Sequence, residues 1–141
     1  MTKSSEQLVV PNSAGTERPK LKAPANAADC HMHIYDPRLP QLPSRSPVSN
    51  AAVPDYRLLQ KRNGTARVVV VQPRNHATNN QVTLDAVAQL GANARGVAVL
   101  HPTVTDADLK KLDAGGIRGI RFSLGDTATA VTSIEIGRAH V

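Results

Sequence analysis

The chain has 141 residues, of which 40% are hydrophobic, and it carries a formal net charge of +6 and a single cysteine. This length fits one ordinary domain, and one cysteine excludes an intramolecular disulfide framework of the kind found in secreted proteins. No apolar run reaches the roughly 18 residues of a membrane span, and the first 28 residues lack the apolar centre of a signal peptide. We therefore expect a cytoplasmic protein that does not interact with a membrane.

The positive charge is compatible with two kinds of partner. Nucleic acid is disfavoured, because the basic residues are scattered and only two tyrosines and one phenylalanine are present for base stacking. A small anionic molecule fits the charge, since arginine binds carboxylates through two parallel hydrogen bonds. The sequence favours the small molecule and indicates no particular oligomeric state.

Regular structure is predicted to begin near Ala28. Residues 1–28 are rich in Ser, Pro, Ala, Asn and Lys without a sustained period, which is typical of a flexible arm. A short strand over 29–34 follows, and the prolines after it enforce a long irregular connection. The remaining elements are predicted in this order: a helix over 55–62, a strand over 66–72, a helix from Asn79 or Asn80 to Leu90, a strand over 96–100, a helix from Thr105 to about Asp113, and a strand over 117–122.

The strand over 66–72 fixes the fold class. Four consecutive valines at 68–71 are typical of a strand buried on both faces of a parallel sheet. Strands and helices alternate along the chain, which predicts an α/β fold with parallel strands and right-handed crossovers. Two architectures stay open, a doubly wound sheet and part of a (β/α)8 barrel. The lack of a glycine-rich phosphate loop argues against the nucleotide-binding version of the first.

Two histidines separated by one residue, His31 and His33, form the most chemically distinctive motif of the chain. Alternate side chains of a strand share a face, so both imidazoles are expected to point the same way, as a metal or an anionic substrate requires. Two histidines alone are an incomplete zinc site. The alternative is a pair of strand histidines that hydrogen-bond to the backbone.

Four stretches of the sequence carry a family pattern: Asp29-Cys30-His31-Met32-His33 with Tyr35-Asp36-Pro37, then RVVVVQP at 67–73, ARGVAV at 94–99 and AGGIRGIRF at 114–122. With these stretches the chain resembles the amidohydrolase-2 branch of the amidohydrolase superfamily. Within that branch it is most similar to the group of 2-pyrone-4,6-dicarboxylate lactonases and D-galactarolactone isomerases. The resemblance extends over roughly residues 28–130, in the same order and at similar spacing.

The resemblance implies a partial TIM barrel, made of the first four or so βα units, whose whole form hydrolyses or isomerises a carboxylated lactone or sugar acid. His31 and His33 would be catalytic, and they would be ligands if the enzyme holds one divalent metal such as zinc. Some members of the branch work without a metal. Arg121 and His76 would bind the substrate, and an acidic residue on the eighth strand, outside this chain, would handle the proton of the attacking water.

Arg121 and His76 are also candidates from their positions in the sequence. Strand alternation sends Ile120 and Phe122 to one face and Arg121 to the other, where a carboxylate would pair with the guanidinium. This favours Arg121 over Arg118, whose neighbours indicate a loop entering the strand. His76 follows the second strand at the edge where barrel loops line the site, and it is expected either to bind the substrate or to lie exposed to solvent.

Three further residues are given structural roles. Asn80 is expected to cap a helix, and Cys30 is expected to be a small buried residue, because strand alternation points it away from the histidines. His101 lies at the end of the third strand, but the resemblance implies no consistent histidine there.

The chain divides into three predicted segments: a flexible arm over 1–28, a barrel part over 29–135 and a tail over 136–141. The tail matches what a common sequencing adapter encodes, so we expect the native reading frame to end near Ile134 or Glu135. A full barrel needs about 250 residues, and this chain is expected to be inactive alone.

Two alternatives to the lactone enzyme are open. The first is a zinc-dependent decarboxylase of the same superfamily, in which His31 and His33 are true metal ligands. The second is a basic binding module without catalysis, whose Arg and Lys side chains would cluster on one face.

Overall fold

A four-stranded parallel sheet forms the centre of the computed structural model, which describes residues 17–43 and 51–122. The strands are β1 (Ala28–Met32), β2 (Arg67–Val71), β3 (Ala94–Val99) and β4 (Ile117–Arg121). Residues 17–27 precede β1 without a helix or strand. The rest of the predicted arm and the predicted tail over 136–141 lie outside the described residues.

The order of the strands decides between the two predicted architectures. Each strand pairs in parallel with the next one along the chain, so the order in the sheet is β1-β2-β3-β4. A doubly wound sheet reverses its direction of growth at a switch point, whereas a (β/α)8 barrel adds every strand on the same side. The α/β class is therefore confirmed, and the sheet corresponds to the first four strands of a barrel.

Three helices connect the strands: α1 (Val53–Asn63), α2 (Gln81–Leu90) and α3 (Asp106–Ala114). Short 3-10 turns cover Arg74–His76 and Gly91–Asn93. Thr105 caps α3 as predicted, since its side chain accepts a hydrogen bond from the Asp108 amide at 3.2 Å. The predicted boundaries differ by a few residues; β1, for example, ends at Met32, before His33.

The main core lies between the sheet and the first two helices. Val68, Val70 and Ala94 face this side from β2 and β3, and each is 3% exposed or less. They pack with residues of β1, α1 and α2, and the cluster also contains Met32, Ile34, Val53, Tyr56, Val82, Ala86 and Val87. Burying each aliphatic side chain contributes roughly 1.5–3 kcal/mol, which holds β1 to β3 against α1 and α2.

The fourth strand and the third helix are much less covered. None of the residues of α3, all of which the structure describes, is buried. Ile120 and Phe122, at the end of β4, are 47% and 50% exposed. Together with Leu109 and Leu112 of α3 they border an open groove of about 520 Å³.

A β-bulge interrupts β1 just before the histidine pair. Asp29 pairs with Val68 and Met32 with Val70, so three steps along β1 correspond to two steps along β2. Asp29 and Met32 therefore both face the helices: an Asp29 oxygen accepts a hydrogen bond from the Tyr56 hydroxyl at 3.1 Å, and Met32 packs in the same core as Tyr56.

The bulge also changes the position of Cys30. Regular alternation predicts that Cys30 is buried on the side away from the histidines, and this prediction is wrong, because the side chain is exposed. The extra residue in β1 leaves both Cys30 and His31 outside the helix-side core. No helix in the described part of the chain is long and apolar enough to cross a membrane.

Candidate active site at the carboxyl end of the sheet

His31 and His33 project on the same side of β1, as strand alternation predicts. Their ring centroids are 5.0 Å apart and the ring planes are nearly perpendicular, at 79°. His31 is exposed, whereas His33, just beyond the end of the strand, is half-buried. The two imidazoles therefore lie side by side at the carboxyl end of the sheet, where barrel enzymes carry their chemistry.

The end of β2 fixes the tautomer of His33. Its Nδ1 donates a hydrogen bond to the Val71 carbonyl at 2.8 Å, which leaves Nε2 with a free lone pair. Burial lowers the pKa of His33 below its ordinary value; the Val71 bond opposes this, and His31 and the positive charge of Arg121 add to it. His33 is therefore neutral at pH 7, with Nε2 able to accept a hydrogen bond or bind a metal.

Arg121 reaches the same end of β2 from the opposite edge of the sheet. Its Nη1 donates to the Gln72 carbonyl at 3.2 Å, so His33 and Arg121 contact two consecutive carbonyl groups, those of Val71 and Gln72. Arg118, in contrast, is exposed and pairs with Asp113 at the end of α3, with 2.8 Å between Nη1 and Oδ1. Of the two arginines of β4, only Arg121 faces the histidine pair.

Tyr35 also lies beside the histidine pair, although the sequence motif did not single it out. Its ring lies 6.2 Å from that of His33, at 75°, and its backbone forms an antiparallel bridge with Ala51. Burial raises the pKa of Tyr35, and the positive charge of Arg121 opposes that shift. The signal was present in the sequence, because residues 31, 33 and 35 share the period of two that defines a strand face.

His76 lies in the 3-10 turn after β2 and is 3% exposed, so the solvent-exposed alternative is wrong. Its Nδ1 donates to the Pro40 carbonyl at 2.9 Å. Its Nε2 is buried and has no hydrogen-bond partner in the described ranges 17–43 and 51–122. Buried polar atoms are nearly always satisfied in folded proteins, so this lone pair marks a position where a donor is expected.

The turn that carries His76 also fixes the loop after β1. The Leu42 amide donates to the Asn75 carbonyl at 2.7 Å, and the Asn75 side chain donates to Gln41 at 3.2 Å. Together with the bond from His76 to Pro40, three contacts attach residues 40–42 to this turn. The loop that follows the histidine pair is therefore held by the loop that follows β2.

Asp36 is a negatively charged residue in the loop that follows the histidine pair. Its carboxylate accepts four hydrogen bonds from the Arg38 side chain and backbone, between 2.6 and 3.1 Å. The side-chain hydrogen bonds from Arg38 hold the pKa of Asp36 at about 2. Asp36 is therefore ionised at every pH at which the protein would be assayed.

Asn80 and His101 lie further from the histidine pair. Asn80 stands at the N-terminus of α2, but the predicted cap is wrong, because its side chain bonds β3 instead: Nδ2 donates to the Val99 carbonyl and Oδ1 accepts from the Val99 amide, both at 2.9 Å. The Asn80 amide therefore binds the backbone of Val99 at the end of β3 instead of the first amides of α2. His101 is exposed and contacts Thr103 at 2.8 Å.

The residues present match a metal site only in part. Within residues 17–43 and 51–122, no group of three or more His, Cys, Asp or Glu side chains is placed to hold a metal ion. The histidine pair supplies two nitrogen ligands, and the bond from His33 to Val71 orients that ring as metal-bound histidines are usually oriented. Zinc requires three or four ligands, so others would have to come from outside these ranges.

The described strands lie within a region that matches a known protein family. The amidohydrolase family profile matches residues 28–132, which include all four strands and the histidine pair. The chain belongs to the amidohydrolase family. This confirms the resemblance drawn from the four sequence stretches.

Two characterised amidohydrolase relatives have similar sequences. The 2-pyrone-4,6-dicarboxylate hydrolase of Comamonas testosteroni is 36% identical over 113 residues, which are 78% of this chain and 37% of that enzyme. The D-galactarolactone isomerase of Agrobacterium fabrum is 37% identical over 102 residues, 70% of this chain and 35% of the isomerase. The chain therefore spans little more than a third of the length of these relatives.

A solved structure shows the same arrangement. The probable 2-pyrone-4,6-dicarboxylic acid hydrolase of Acinetobacter baumannii, crystallised with citric acid bound, superimposes with a TM-score of 0.68 and 27% sequence identity. The match covers 80% of this chain and 43% of that protein. The four strands and three helices thus lie in a match that covers less than half of that protein.

Proposed function

We propose that this chain forms the first half of a lactone-processing amidohydrolase barrel, whose whole form hydrolyses or isomerises a small carboxylated lactone or sugar acid. The observation that carries the proposal is the placement of His33 and Arg121 on consecutive carbonyls at the end of β2. A neutral imidazole with a free Nε2 thus lies near a fixed guanidinium. Such a pair suits a substrate in which an ester carbonyl and a carboxylate lie close together.

The proposed roles follow from the charge of each group. Arg121 binds the substrate carboxylate, and His33 accepts a hydrogen bond from the attacking water through Nε2. His31, beside it, orients the ring carbonyl. His76 contributes its buried Nε2 as an acceptor for a substrate hydroxyl. Water attacks the ring carbonyl, and a carboxylate from the remaining strands of the barrel takes its proton. The ring C–O bond then breaks, and the same proton passes from that carboxylate to the leaving oxygen.

The metal requirement is a separate part of the proposal. One divalent ion such as zinc would replace these contacts of the histidine pair: His31 and His33 would hold it with ligands from outside the described residues, and when bound it would polarise the lactone carbonyl. Titration of the chain with zinc, followed by the NMR signals of both imidazoles, tests this without an assay. Unchanged histidine signals at saturating zinc would favour a metal-independent site.

Reconstitution of a barrel tests the proposed activity. The chain is co-produced with the part of the Comamonas hydrolase that follows its aligned region, and hydrolysis of 2-pyrone-4,6-dicarboxylate and conversion of D-galactarolactone are measured. We expect turnover only when both parts are present. Arg121→Gln should lower kcat/KM roughly hundredfold, as expected for losing a charged hydrogen-bonded contact with the substrate carboxylate.

Arg118→Gln is the matched control, because it removes the same type of residue from the same strand but at an exposed position paired with Asp113. It should leave turnover unchanged. An assembled complex that converts neither lactone would contradict the proposed function, and so would turnover by the chain alone. The cytoplasmic location and the exclusion of nucleic-acid partners stay predictions.

A further inference from the structure

The side chain of Gln72 is fully buried, with 0% exposure, between the end of β2 and α2. Its Nε2 donates to the Ala77 carbonyl at 3.1 Å and to the Asn79 carbonyl at 2.9 Å. Its Oε1 accepts a hydrogen bond from the hydroxyl of Thr83, which is also 0% exposed. Both donors and the acceptor of the amide are therefore used inside the protein.

These contacts determine which way the amide faces. The Thr83 hydroxyl donates to Oε1, so Nε2 must point at the segment over 77–79, whose carbonyls can only accept. A flipped amide would place its oxygen against two carbonyl oxygens. The network thus has one arrangement, and burying it is favourable only because every group is paired.

The buried side chain of Asn80, at the N-terminus of α2, binds the same segment of backbone. Its Nδ2 donates to the Thr78 carbonyl at 3.0 Å and to the Val99 carbonyl of β3. Two buried amides thus hold three successive carbonyls, those of residues 77, 78 and 79. This segment connects the turn that carries His76 to the start of α2.

The backbone of Gln72, unlike its side chain, contacts a residue of the candidate active site. Its carbonyl accepts the hydrogen bond from Arg121, and the carbonyl of the preceding Val71 accepts the bond from His33. One residue therefore contacts the proposed carboxylate-binding arginine through its backbone and the loop bearing His76 through its side chain. A displacement of Gln72 would move both.

We propose that Gln72 is a positioning residue for the active site: its buried amide fixes the segment over 77–79, and thereby keeps His76 in register with Arg121 and His33. This inference rests on the proposed function for the roles of those three residues. It adds that substrate binding depends on a side chain that does not face the site.

The test uses the full 141-residue chain and citrate, a small tricarboxylate, as the probe. Gln72→Met keeps the size of the side chain but removes both donors to the loop. We expect citrate to bind about five- to tenfold more weakly, the size of one lost hydrogen bond. Amide hydrogen exchange over residues 75–80 should accelerate by a similar factor.

A double variant separates positioning from stability. In Gln72→Met/Thr83→Val both partners of the buried bond are apolar, an exchange that is often nearly neutral for stability. It should regain much of the thermal midpoint, while citrate affinity and loop exchange stay impaired, because no donor reaches Ala77 and Asn79. Recovery of all three together would overturn the proposal and leave Gln72 with a merely structural role.

Two further variants complete the experiment. Val82→Ala, a core change on the same helix, should lower stability without changing citrate affinity or the exchange of 75–80. Thr83→Val alone, which leaves Oε1 of Gln72 without its donor, is the milder variant if Gln72→Met does not fold, and it should accelerate loop exchange. If the native chain binds no citrate, the proposed function is contradicted. The inference on Gln72 is then decided by amide exchange over residues 75–80 in Gln72→Met, and unchanged exchange there would overturn it.

Discussion

The region around α2 and the region around α3 differ sharply in how deeply their residues are buried. Around α2, the residues Val82, Thr83 and Ala86 are at most 2% exposed, and a saturated hydrogen-bond network fills the space next to β2. Around α3 no residue of the helix is buried, and Ile120 of β4 is 47% exposed. The region around α2, called the packed side below, thus supports the positions of the site residues. In the region around α3 and β4, called the open side, Arg121 projects from a strand that the helix covers only in part.

The largest effect is expected from filling space on the packed side. A Cβ added at Gly96 of β3 would collide with Ile117, and it would also approach Thr83 and Val87 of α2. Gly96→Ala should therefore lower the free energy of unfolding by about 2–3 kcal/mol in urea denaturation. At Gly119 of β4 the nearest atom to an added Cβ is a Val97 methyl at 3.2 Å. Gly119→Ala should cost under about 1 kcal/mol, and equal losses would remove the difference between the two sides.

Truncating one aliphatic side chain on each helix gives a second comparison. Val82→Ala in α2 creates a cavity in the main core and should cost about 2 kcal/mol. Leu109→Ala in α3 removes a partly exposed side chain and should cost under about 1 kcal/mol. Urea midpoints of the two variants measure the difference. A larger loss from Leu109→Ala would show that α3 is better packed than its exposure indicates.

The loop that enters α2 contains a strained residue. Ala77 has φ of 48° and ψ of −128°, a region that side-chain-bearing residues rarely adopt. Ala77→Gly should relieve the strain and stabilise the protein by about 1 kcal/mol, a gain reduced by the greater freedom of glycine in the unfolded chain. Asn26→Gly is the control, since Asn26 has φ of 65° and asparagine tolerates that conformation; it should change stability by less than about 0.5 kcal/mol.

The smallest effect concerns pH. Burial lowers the pKa of His33 below 6.5, so the unfolded chain binds this proton more readily than the folded one. The contribution of His33 to stability is complete above pH 6.5. It is lost as the pH falls from 6.5 through the lowered pKa of the folded state, and it does not change further below that. Unfolding measured across this range should show a shallower slope for His33→Gln, and an identical slope would contradict the shift.

A titration of His33 connects this pH effect to the open side. Because the charge of Arg121 lowers the pKa of His33, Arg121→Gln should raise that pKa. The NMR titration of the imidazole measures the change. A pKa that stays the same would mean that Arg121 does not approach His33 from β4.

The sequence predicted the elements well where one signal dominated. Four valines without polar alternation identified β2, and Thr105 identified the start of α3, because both signals are local. The pairing of His31 with His33 and the orientation of Arg121 followed from the period of a strand. The open choice between two architectures needed the strand order, which depends on contacts distant in sequence.

The predictions that were wrong or missing also depended on contacts between residues distant in sequence. Asn80 was predicted to cap α2, but a buried strand end offered its amide a donor and an acceptor at once. The burial of His76 and the role of Gln72 depend on loops that meet only in the folded chain. Tyr35 could have been found, because it continues the alternation of the histidine pair past the end of β1.

The extra residue between Asp29 and Met32 has a consequence for how this motif tolerates change in length. Because three steps on β1 match two on its neighbour, deleting Cys30 would restore an even ladder in which Asp29 and Met32 keep their partners. His31 would then lie alone between them, still on the side away from the helices. Loss of Met32 would instead place an imidazole opposite Val70, on the side of the core. The motif is therefore expected to tolerate the loss of position 30 far more readily than the loss of position 32.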